Sequence, residues 1–108
     1  MSKVKRKLTT ILATDCVGFS KRMDENEELT LENLKACRSI IDPQIKEFGG
    51  RIFYTAGDSV IAEFESPVEC VNAAIGFQKA INDRNNTLSE ESQLDWRVGI
   101  HLDDVIIE

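Results

Sequence analysis

The 108-residue sequence predicts an α+β domain of the ferredoxin-like type, whose elements follow one another as β-α-β-β-α-β. In such a sandwich, both helices cover one face of an antiparallel sheet. Two long segments have apolar residues at helical spacing, and each lies between short runs rich in β-branched residues. A Gly-Asp turn joins the second and third runs as a hairpin, and the last run alternates apolar and polar residues like a half-buried strand.

The composition is that of one globular domain. Hydrophobic residues make up 42% and charged residues 30% of the chain, and its length suffices for a single core. The net charge of −6 argues against a nucleic-acid partner. The sequence has no apolar run of about 18 residues and no signal-peptide pattern, so we expect a cytoplasmic protein with no membrane segment in this chain.

The N-terminal basic cluster and the cysteines are interpreted as structural. The basic cluster predicts a solvated tail at residues 1–7, followed by the domain at residues 8–108. Three cysteines without a CxxC pair exclude a disulfide framework and disfavour a zinc site. Cys37 and Cys70 fall on apolar helix faces, where we expect them to be small core residues.

The first strand and the first helix are predicted at about residues 7–14 and 27–48. Asp42-Pro43 would kink or divide the helix, and Gly49-Gly50 would end it. The apolar residues at helical spacing in this segment are Leu34, Cys37, Ile41, Ile45 and Phe48.

The second helix begins with a strong N-terminal signal. Ser66 is its predicted N-cap, Pro67 takes the first helical position, and Glu69 completes a capping box. The helix is expected to end at about residue 83 and to bury one side. The side chains predicted to be buried are Cys70, Val71, Ala74, Phe77 and Ile81.

A polar loop at residues 84–93 leads to the last strand. Alternation places one set of side chains on an apolar face, namely Leu94, Trp96, Val98 and Ile100, with Trp96 as a core anchor. Asp95, Arg97 and His101 fall on the polar face, and His101 is interpreted as an ordinary surface residue. Leu102-Asp103-Asp104 is predicted to be a turn or bulge, after which residues 105–107 begin another strand or extend this one.

Asp15 and Asp58 are the candidate metal ligands. Asp15 closes the first strand, and Asp58 lies in the turn between predicted strands at residues 51–55 and 60–64. Right-handed crossovers place that strand end and that turn at one edge, so we expect the two carboxylates to meet there. A Mg²⁺ or Mn²⁺ ion takes one or two carboxylates together with substrate phosphates, which points to nucleotidyl chemistry. The structural alternative is that Asp15 caps a helix and that Gly-Asp is ordinary turn chemistry.

Neighbouring residues add to this site or lie away from it. Gly18 permits close approach of the backbone, and the amides of residues 17–20 could face a phosphate. Glu63 and Glu65 flank the far end of the third strand, too distant to join a metal site.

The motifs resemble those of class III adenylate/guanylate cyclase catalytic domains, closest to the bacterial branch and to the N-terminal portion of the domain. The similarity covers nearly the whole chain, in several motifs in the right order. The matching segments are residues 9–20, Asp42-Pro43, residues 49–64, residues 66–78 and residues 97–102.

The resemblance implies that Asp15 and Asp58 bind two Mg²⁺ or Mn²⁺ ions, with the Cys16 carbonyl as a third oxygen ligand. The backbone groups implied to hold triphosphate oxygens are those of Val17, Gly18 and Phe19. The implied reaction converts ATP to cyclic AMP and pyrophosphate in intracellular signalling. Members of the family work as head-to-tail dimers with active sites at the interface, so a homodimer or pairing with another cyclase half is expected.

Three departures from the family pattern bear on activity. Tyr54 stands where adenylate cyclases usually carry a lysine that selects adenine, which leaves the choice between ATP and GTP open. Asp103 replaces a glycine. The chain ends where the second half of a cyclase domain would begin, and that half supplies an asparagine and an arginine for the transition state. We therefore expect a truncated cyclase core that is weakly active or inactive alone.

Two other functions remain open. One is a non-enzymatic, cyclase-like module that binds a partner domain or ligand. The other is a different ferredoxin-like nucleotidyl enzyme, such as a diguanylate cyclase or a polymerase palm. The diguanylate class carries an acidic Gly-Gly-(Asp/Glu)-Glu-Phe turn, whereas the turn here reads Ala56-Gly57-Asp58-Ser59, which argues against it.

Overall fold

The computed structural model describes residues 5–107. The strands are β1 (Lys5–Cys16), β2 (Arg51–Ala56), β3 (Ser59–Phe64) and β4 (Trp96–Ile107). The helices are α1 (Phe19–Glu25), α2 (Glu27–Glu47) and α3 (Pro67–Asn85), followed by a 3₁₀ turn at Glu90–Ser92. The strands form one sheet in the order β2-β3-β1-β4 with antiparallel neighbours, which confirms the predicted ferredoxin-like α+β fold.

The core lies between the sheet and helices α2 and α3. Successive side chains of a strand point to opposite faces of the sheet, so every second residue of β1, such as the fully buried Leu12, faces the helices. Cys37 from α2 and Cys70 from α3 are also fully buried, which confirms both as small core residues. Trp96 at the start of β4 is 5% exposed and anchors the core as predicted.

β1 and β4 are longer than the sequence predicted, and they pair along their whole length. The predicted turn at Leu102-Asp103-Asp104 is wrong, because these residues pair with residues 8–10 of β1 and β4 continues through residues 105–107. In this continuous ladder, hydrogen bonds between β1 and β4 pair the backbone N–H and C=O groups of every second residue. These hydrogen bonds outweigh the preference of Asp103 and Asp104 for a turn. Residues 5–7, expected in a tail, belong to β1, and residues 1–4 lie outside the described part of the chain.

The helices differ from expectation in three respects. α2 is one helix that continues through Pro43, with Arg38 forming a bidentate ion pair to Asp42 just before it. α1 was not predicted, because its seven residues bury no side chain and so leave no apolar period. Val71 was expected in the core but is 43% exposed on the outer side of α3.

Within residues 5–107, no helix combines the length and apolar character that a membrane crossing needs.

The ends of the helices follow the predicted signals. Ser66 caps α3, since its hydroxyl accepts a hydrogen bond from the Glu69 backbone N–H at 3.2 Å. α2 ends at the glycine pair, where Gly49 has a φ of 81°. Gly50 is needed for a different reason: a Cβ built there would lie 2.5 Å from Cζ of Phe64. The α2–β2 connection therefore packs its backbone directly against the core.

Gly50→Ala should destabilise the fold by about 1–3 kcal/mol. The added methyl group would clash with the side chains of Phe64 and Ile45, which are already packed in the core. Urea denaturation followed by circular dichroism measures the change. Gly99→Ala is the matched control: Gly99 lies within β4 and a Cβ there would meet no atom within 4 Å. Equal stability of the two variants would contradict close packing at Gly50.

Candidate divalent-metal and nucleotide site

Asp15 and Asp58 face one cleft at the end of the sheet, as the topology predicted. The backbone N–H of Cys16 donates a hydrogen bond to Oδ2 of Asp58 at 2.9 Å, which ties the β2–β3 turn to the end of β1. The cleft has a volume of about 510 Å³. Its lining residues are Asp15, Cys16, Gly18, Phe19, Ser20, Lys21, Asp58, Ser59 and Arg97.

The hairpin turn places Asp58 at this position. β2 and β3 are joined by the two residues Gly57 and Asp58 alone, and Ala56 pairs with Ser59 across the turn. Gly57 has a φ of 56°, a conformation that glycine adopts without a steric penalty at the first position of a tight hairpin turn. The β1–β3 register, in which Thr14 pairs with Val60, puts Asp58 opposite Cys16 when it is continued by two residues. Turn geometry and strand register therefore together determine where the carboxylate lies.

Asp15 is engaged by an arginine that sequence reasoning did not assign to the site. Asp15 and Arg97 are register partners in β1 and β4, and Nε of Arg97 donates to Oδ1 of Asp15 at 2.8 Å. Both side chains are exposed to solvent to a large extent, so the ion pair is weak. Alternation placed Arg97 on the polar face of its strand, but only the β1–β4 register identifies Asp15 as its partner.

The segment after β1 brings two of the three residues predicted to hold phosphates to the cleft. Gly18 adopts a left-handed conformation with φ 65° and precedes α1, and both Gly18 and Phe19 line the cleft. The amide of Val17, in contrast, donates to the carbonyl of Asp95 at 2.8 Å, and Val17 does not line the cleft. Ser20 and Lys21 were not singled out from the sequence and add a hydroxyl and a positive charge.

Several sequence candidates lie outside the cleft. Tyr54 is 53% exposed on β2 and pairs with Ile61, beyond a register shift at the preceding residue. Glu63 and Glu65 form ion pairs with Arg51 and Lys7 beside a different cleft, which confirms that they are separate from the two aspartates. His101 is an exposed residue of β4, as expected.

Cys16 contributes to the cleft through its backbone rather than its thiol. Its side chain is buried on the core side of β1, and this burial, followed by the charge of Asp58, raises the pKa of the thiol to about 12. Within residues 5–107, no three side chains from His, Cys, Asp and Glu come together as a ready metal-binding group. A cation in this cleft would therefore rely on the two aspartates together with backbone or substrate oxygens.

Comparison with known proteins identifies relatives over nearly the whole chain. The chain is 36% identical over 106 residues to a protein of Rhizobium meliloti (strain 1021) named "Putative adenylate cyclase 3", a match that covers 97% of this chain and 18% of that protein. It is 29% identical over 106 residues to the serine/threonine-protein kinase pkn2 of Myxococcus xanthus, covering 97% of this chain and 13% of the kinase. No protein-family model matches.

A solved structure gives the same result. The crystal structure of an adenylate/guanylate cyclase/hydrolase from Silicibacter pomeroyi superposes with a TM-score of 0.85 and 33% identity, covering 98% of this chain and 62% of that chain. The resemblance to class III adenylate/guanylate cyclase domains is thereby confirmed, and the chain corresponds to a portion of such proteins. The roles of Asp15, Asp58 and Cys16 as metal ligands stay a prediction.

The Cys16 thiol should be inert in the folded protein. A thiol reacts as its thiolate, and a rise in pKa from 9.0 to about 12 lowers the thiolate fraction at pH 8 by about a thousandfold, before steric protection is considered. Iodoacetamide labelling followed by mass spectrometry should therefore show Cys16 unmodified in buffer and modified in 8 M urea. Lys79→Cys, on the exposed side of α3, provides a control thiol that should react in buffer. Rapid labelling of native Cys16 would contradict its burial.

Arg97→Gln should raise the affinity of the cleft for Mn²⁺ without nucleotide by about 1.4- to fivefold. The substitution removes a cation that competes for Asp15, and an exposed ion pair of this kind is worth about 0.2–1 kcal/mol. Titration followed by Mn²⁺ electron paramagnetic resonance measures the change. Arg51→Gln is the matched control, because Arg51 forms a similar exposed ion pair with Glu63 outside the cleft. An unchanged or weaker Mn²⁺ affinity in Arg97→Gln would show that the arginine does not compete with the cation.

Proposed function

We propose that this chain supplies the metal- and triphosphate-binding half-site of a class III nucleotide cyclase, with ATP as the substrate and Mg²⁺ or Mn²⁺ as the metal. The observation that carries the proposal is the Cys16–Asp58 hydrogen bond, which brings Asp58 into the cleft that Asp15 also lines. The match to the Silicibacter pomeroyi cyclase over 98% of this chain supports it.

The donor set suits a hard divalent cation. Mg²⁺ usually takes one or two carboxylates from a protein when substrate phosphates complete its coordination, and the cleft offers two. The Cys16 carbonyl is a reasonable third ligand. In a strand, the amide and the carbonyl of one residue point to the same side, and the Cys16 amide points to Asp58. Its carbonyl oxygen is therefore directed towards the same side of β1.

The α1 side of the cleft suits a triphosphate. The backbone N–H groups of residues 19–21 lie in the first turn of α1, where they have no partner within the helix, and Gly18 leaves the approach to them free of a side chain. Lys21 adds a positive charge, and Ser20 and Ser59 add hydroxyl donors. The contribution expected from Val17 is weaker, because its N–H is bonded to Asp95.

The proposed reaction closes a ring within the nucleotide. The ribose 3′-oxygen forms a bond to the α-phosphorus, the bond from that phosphorus to the bridging oxygen breaks, pyrophosphate leaves, and the hydroxyl proton passes to solvent. Bound divalent cations would neutralise the triphosphate and favour ionisation of the 3′-hydroxyl. Asp15 and Asp58 would hold those cations, while the first turn of α1 would fix the phosphates in place.

Base recognition would come from outside this cleft. Tyr54 lies on β2 and does not line the Asp15 cleft of its own chain. Its side chain is half exposed and is therefore accessible to a ligand bound elsewhere. In a head-to-tail dimer, this phenol would face the base bound by the other protomer. A phenol forms a hydrogen bond to a base without adding charge. The site would therefore discriminate only modestly between adenine and guanine.

Turnover by the 108-residue chain on its own should be low. The resemblance assigns transition-state asparagine and arginine groups to a part of the cyclase domain that the chain does not match, and an arginine on a transferring phosphoryl group is worth on the order of 10³-fold or more. Binding, rather than turnover, is therefore the property that tests the half-site.

Calorimetric titration with Mn²⁺ and a non-cyclisable ATP analogue should show nucleotide binding that depends on the metal. Asp15→Asn and Asp58→Asn should each weaken it about tenfold or more, because a charge-bearing ligand is lost. Glu63→Gln should leave it unchanged, since Glu63 is also an exposed acid paired with an arginine but lies beside another cleft. A GTP analogue in the same titration reports on base selectivity.

The second candidate function is a cyclase-like module that binds a partner and no nucleotide. The ion pair between Arg97 and Asp15 favours it, because the arginine competes with a cation for one of the two carboxylates. Absence of metal-dependent binding in the unmodified chain and in Arg97→Gln alike would support this module and overturn the half-site.

A further inference from the structure

The segment that follows β1 is held in place mainly by hydrogen bonds. We call residues 17–25 the cleft segment, because four of them line the Asp15–Asp58 cleft, namely Gly18, Phe19, Ser20 and Lys21. α1 buries no side chain, and Phe19 is only partly buried against the core. Apolar packing fixes α2 and α3 on the sheet, but it gives the cleft segment little support. The position of this segment therefore depends on its polar contacts.

The loop between α3 and β4 supplies two of those contacts. The backbone N–H of Val17 donates to the carbonyl of Asp95 at 2.8 Å, directly before Gly18. Nη1 of Arg22, on α1, donates to the carbonyl of Glu90 at 3.2 Å. The loop therefore supports the cleft segment at two points, one on each side of the residues that line the cleft.

Asn85 ties this loop to α3. It is the last residue of the helix and is 6% exposed. Its Nδ2 donates to the carbonyl of Leu94 at 2.9 Å and to Oδ1 of Asp95 at 3.4 Å. One buried amide thus holds both residues that precede β4, and the second of them is the acceptor for Val17.

The hydrogen bonding of this amide is one-sided. Oδ1 of Asn85 is buried and has no hydrogen-bond partner among residues 5–107. A buried acceptor without a partner costs free energy, so stability alone would not favour an asparagine at this position. Nδ2, in contrast, has two acceptors, and both belong to the loop. What the side chain contributes is therefore the fixed position of Leu94 and Asp95.

We propose that Asn85 is a positioning residue for the triphosphate side of the cleft, and that it acts through Asp95 and Val17 on the backbone at Gly18. The Asn85 amide fixes the loop, and the Asp95 carbonyl then fixes the Val17 N–H. Val17 in turn sets where the chain enters the left-handed turn at Gly18, whose φ is 65°. The inference rests on the proposed function, because it takes a triphosphate as the ligand of the cleft. Displacing a binding group by about 1 Å can cost on the order of a hundredfold in activity.

Gln78 of α3 provides a matched comparison. Its Nε2 donates to the carbonyl of Trp96 at 2.7 Å, so it also ties α3 to the start of β4 through an amide. Backbone carbonyls alternate in direction along a strand. Since the Asp95 carbonyl points to the chain that follows β1, the Trp96 carbonyl points the other way. Gln78 therefore stabilises β4 without taking part in the contacts that lead to Gly18.

Amide hydrogen exchange of the 108-residue chain, followed by NMR without any ligand, tests the positioning step. In Asn85→Ala, the Val17 N–H should exchange about tenfold or more faster relative to the Leu12 N–H in the middle of β1, because its acceptor is no longer held. In Gln78→Met, the ratio of the two rates should stay as in the unmodified chain. A merely structural loss of stability would accelerate exchange at Leu12 at least as much as at Val17, so the ratio separates the two roles.

Calorimetric titration with Mn²⁺ and inorganic tripolyphosphate tests the effect on the cleft. Tripolyphosphate has no base or ribose, so it reports on the triphosphate side alone. Asn85→Ala should weaken its Mn²⁺-dependent binding about three- to tenfold, whereas Gln78→Met should bind it like the unmodified chain. The affinity for Mn²⁺ alone, measured by electron paramagnetic resonance, should not change in either variant. Asp15 and Asp58 lie on β1 and in the β2–β3 turn, which the Asn85 side chain does not contact.

Three results would overturn the proposal. An unchanged ratio of Val17 to Leu12 exchange in Asn85→Ala would do so whatever the cleft binds. Faster Val17 exchange with unchanged tripolyphosphate binding, or with an equal loss of affinity for Mn²⁺ alone, would also do so.

No Mn²⁺-dependent tripolyphosphate binding by the unmodified chain would instead overturn the half-site, and the role of Asn85 with it. Should Asn85→Ala not fold, Asn85→Asp is the second variant. It keeps the size of the side chain, but its ionised carboxylate cannot donate to Leu94 or Asp95, so the same acceleration at Val17 is expected.

Discussion

The central position of β1 is the constraint on which the rest of the structure depends. β1 pairs with β3 on one side and with β4 on the other, and its buried face supplies the middle of the core. Its register against β4 sets Asp15 opposite Arg97, and its register against β3 brings the β2–β3 turn to Cys16. A shift of one residue on either side would turn every β1 side chain to the opposite face, so the core and the cleft are determined together.

The same pairing gives the cleft its mixed charge. Two carboxylates alone would repel each other and bind any available cation. Here Arg97 and Lys21 accompany Asp15 and Asp58, so the cleft contains two positive and two negative side chains. A cation that displaces Arg97 from Asp15 frees the guanidinium, and a bound triphosphate then has a second positive group besides Lys21. An anionic nucleotide and a divalent cation would thus be favoured together more than either alone.

The sequence predicted the architecture because its strongest signals are local. The glycine pair Gly49-Gly50, the capped helix start at Ser66 and the alternation before Gly99 each reflect the chemistry of a few neighbouring residues. The meeting of Asp15 and Asp58 also followed, since chain topology leaves few ways to wind the unit. α1 was missed because its seven residues bury no side chain, whereas two other features that the sequence did not predict depend on partners distant in sequence. The Arg97–Asp15 pair spans 82 residues, and the continuation of β4 through Asp103 is imposed by its ladder with β1.

Arg97 links the cleft to the position of β4 in the sheet. It lies on β4, and its guanidinium bonds to Asp15 of the neighbouring β1. Any contact that draws the guanidinium away would weaken its hold on Asp15 and make that carboxylate more available to a cation. By linkage, cation binding would release the guanidinium to the same extent. A single exposed ion pair, rather than any change of fold, would be enough to couple the cation to a group that binds Arg97.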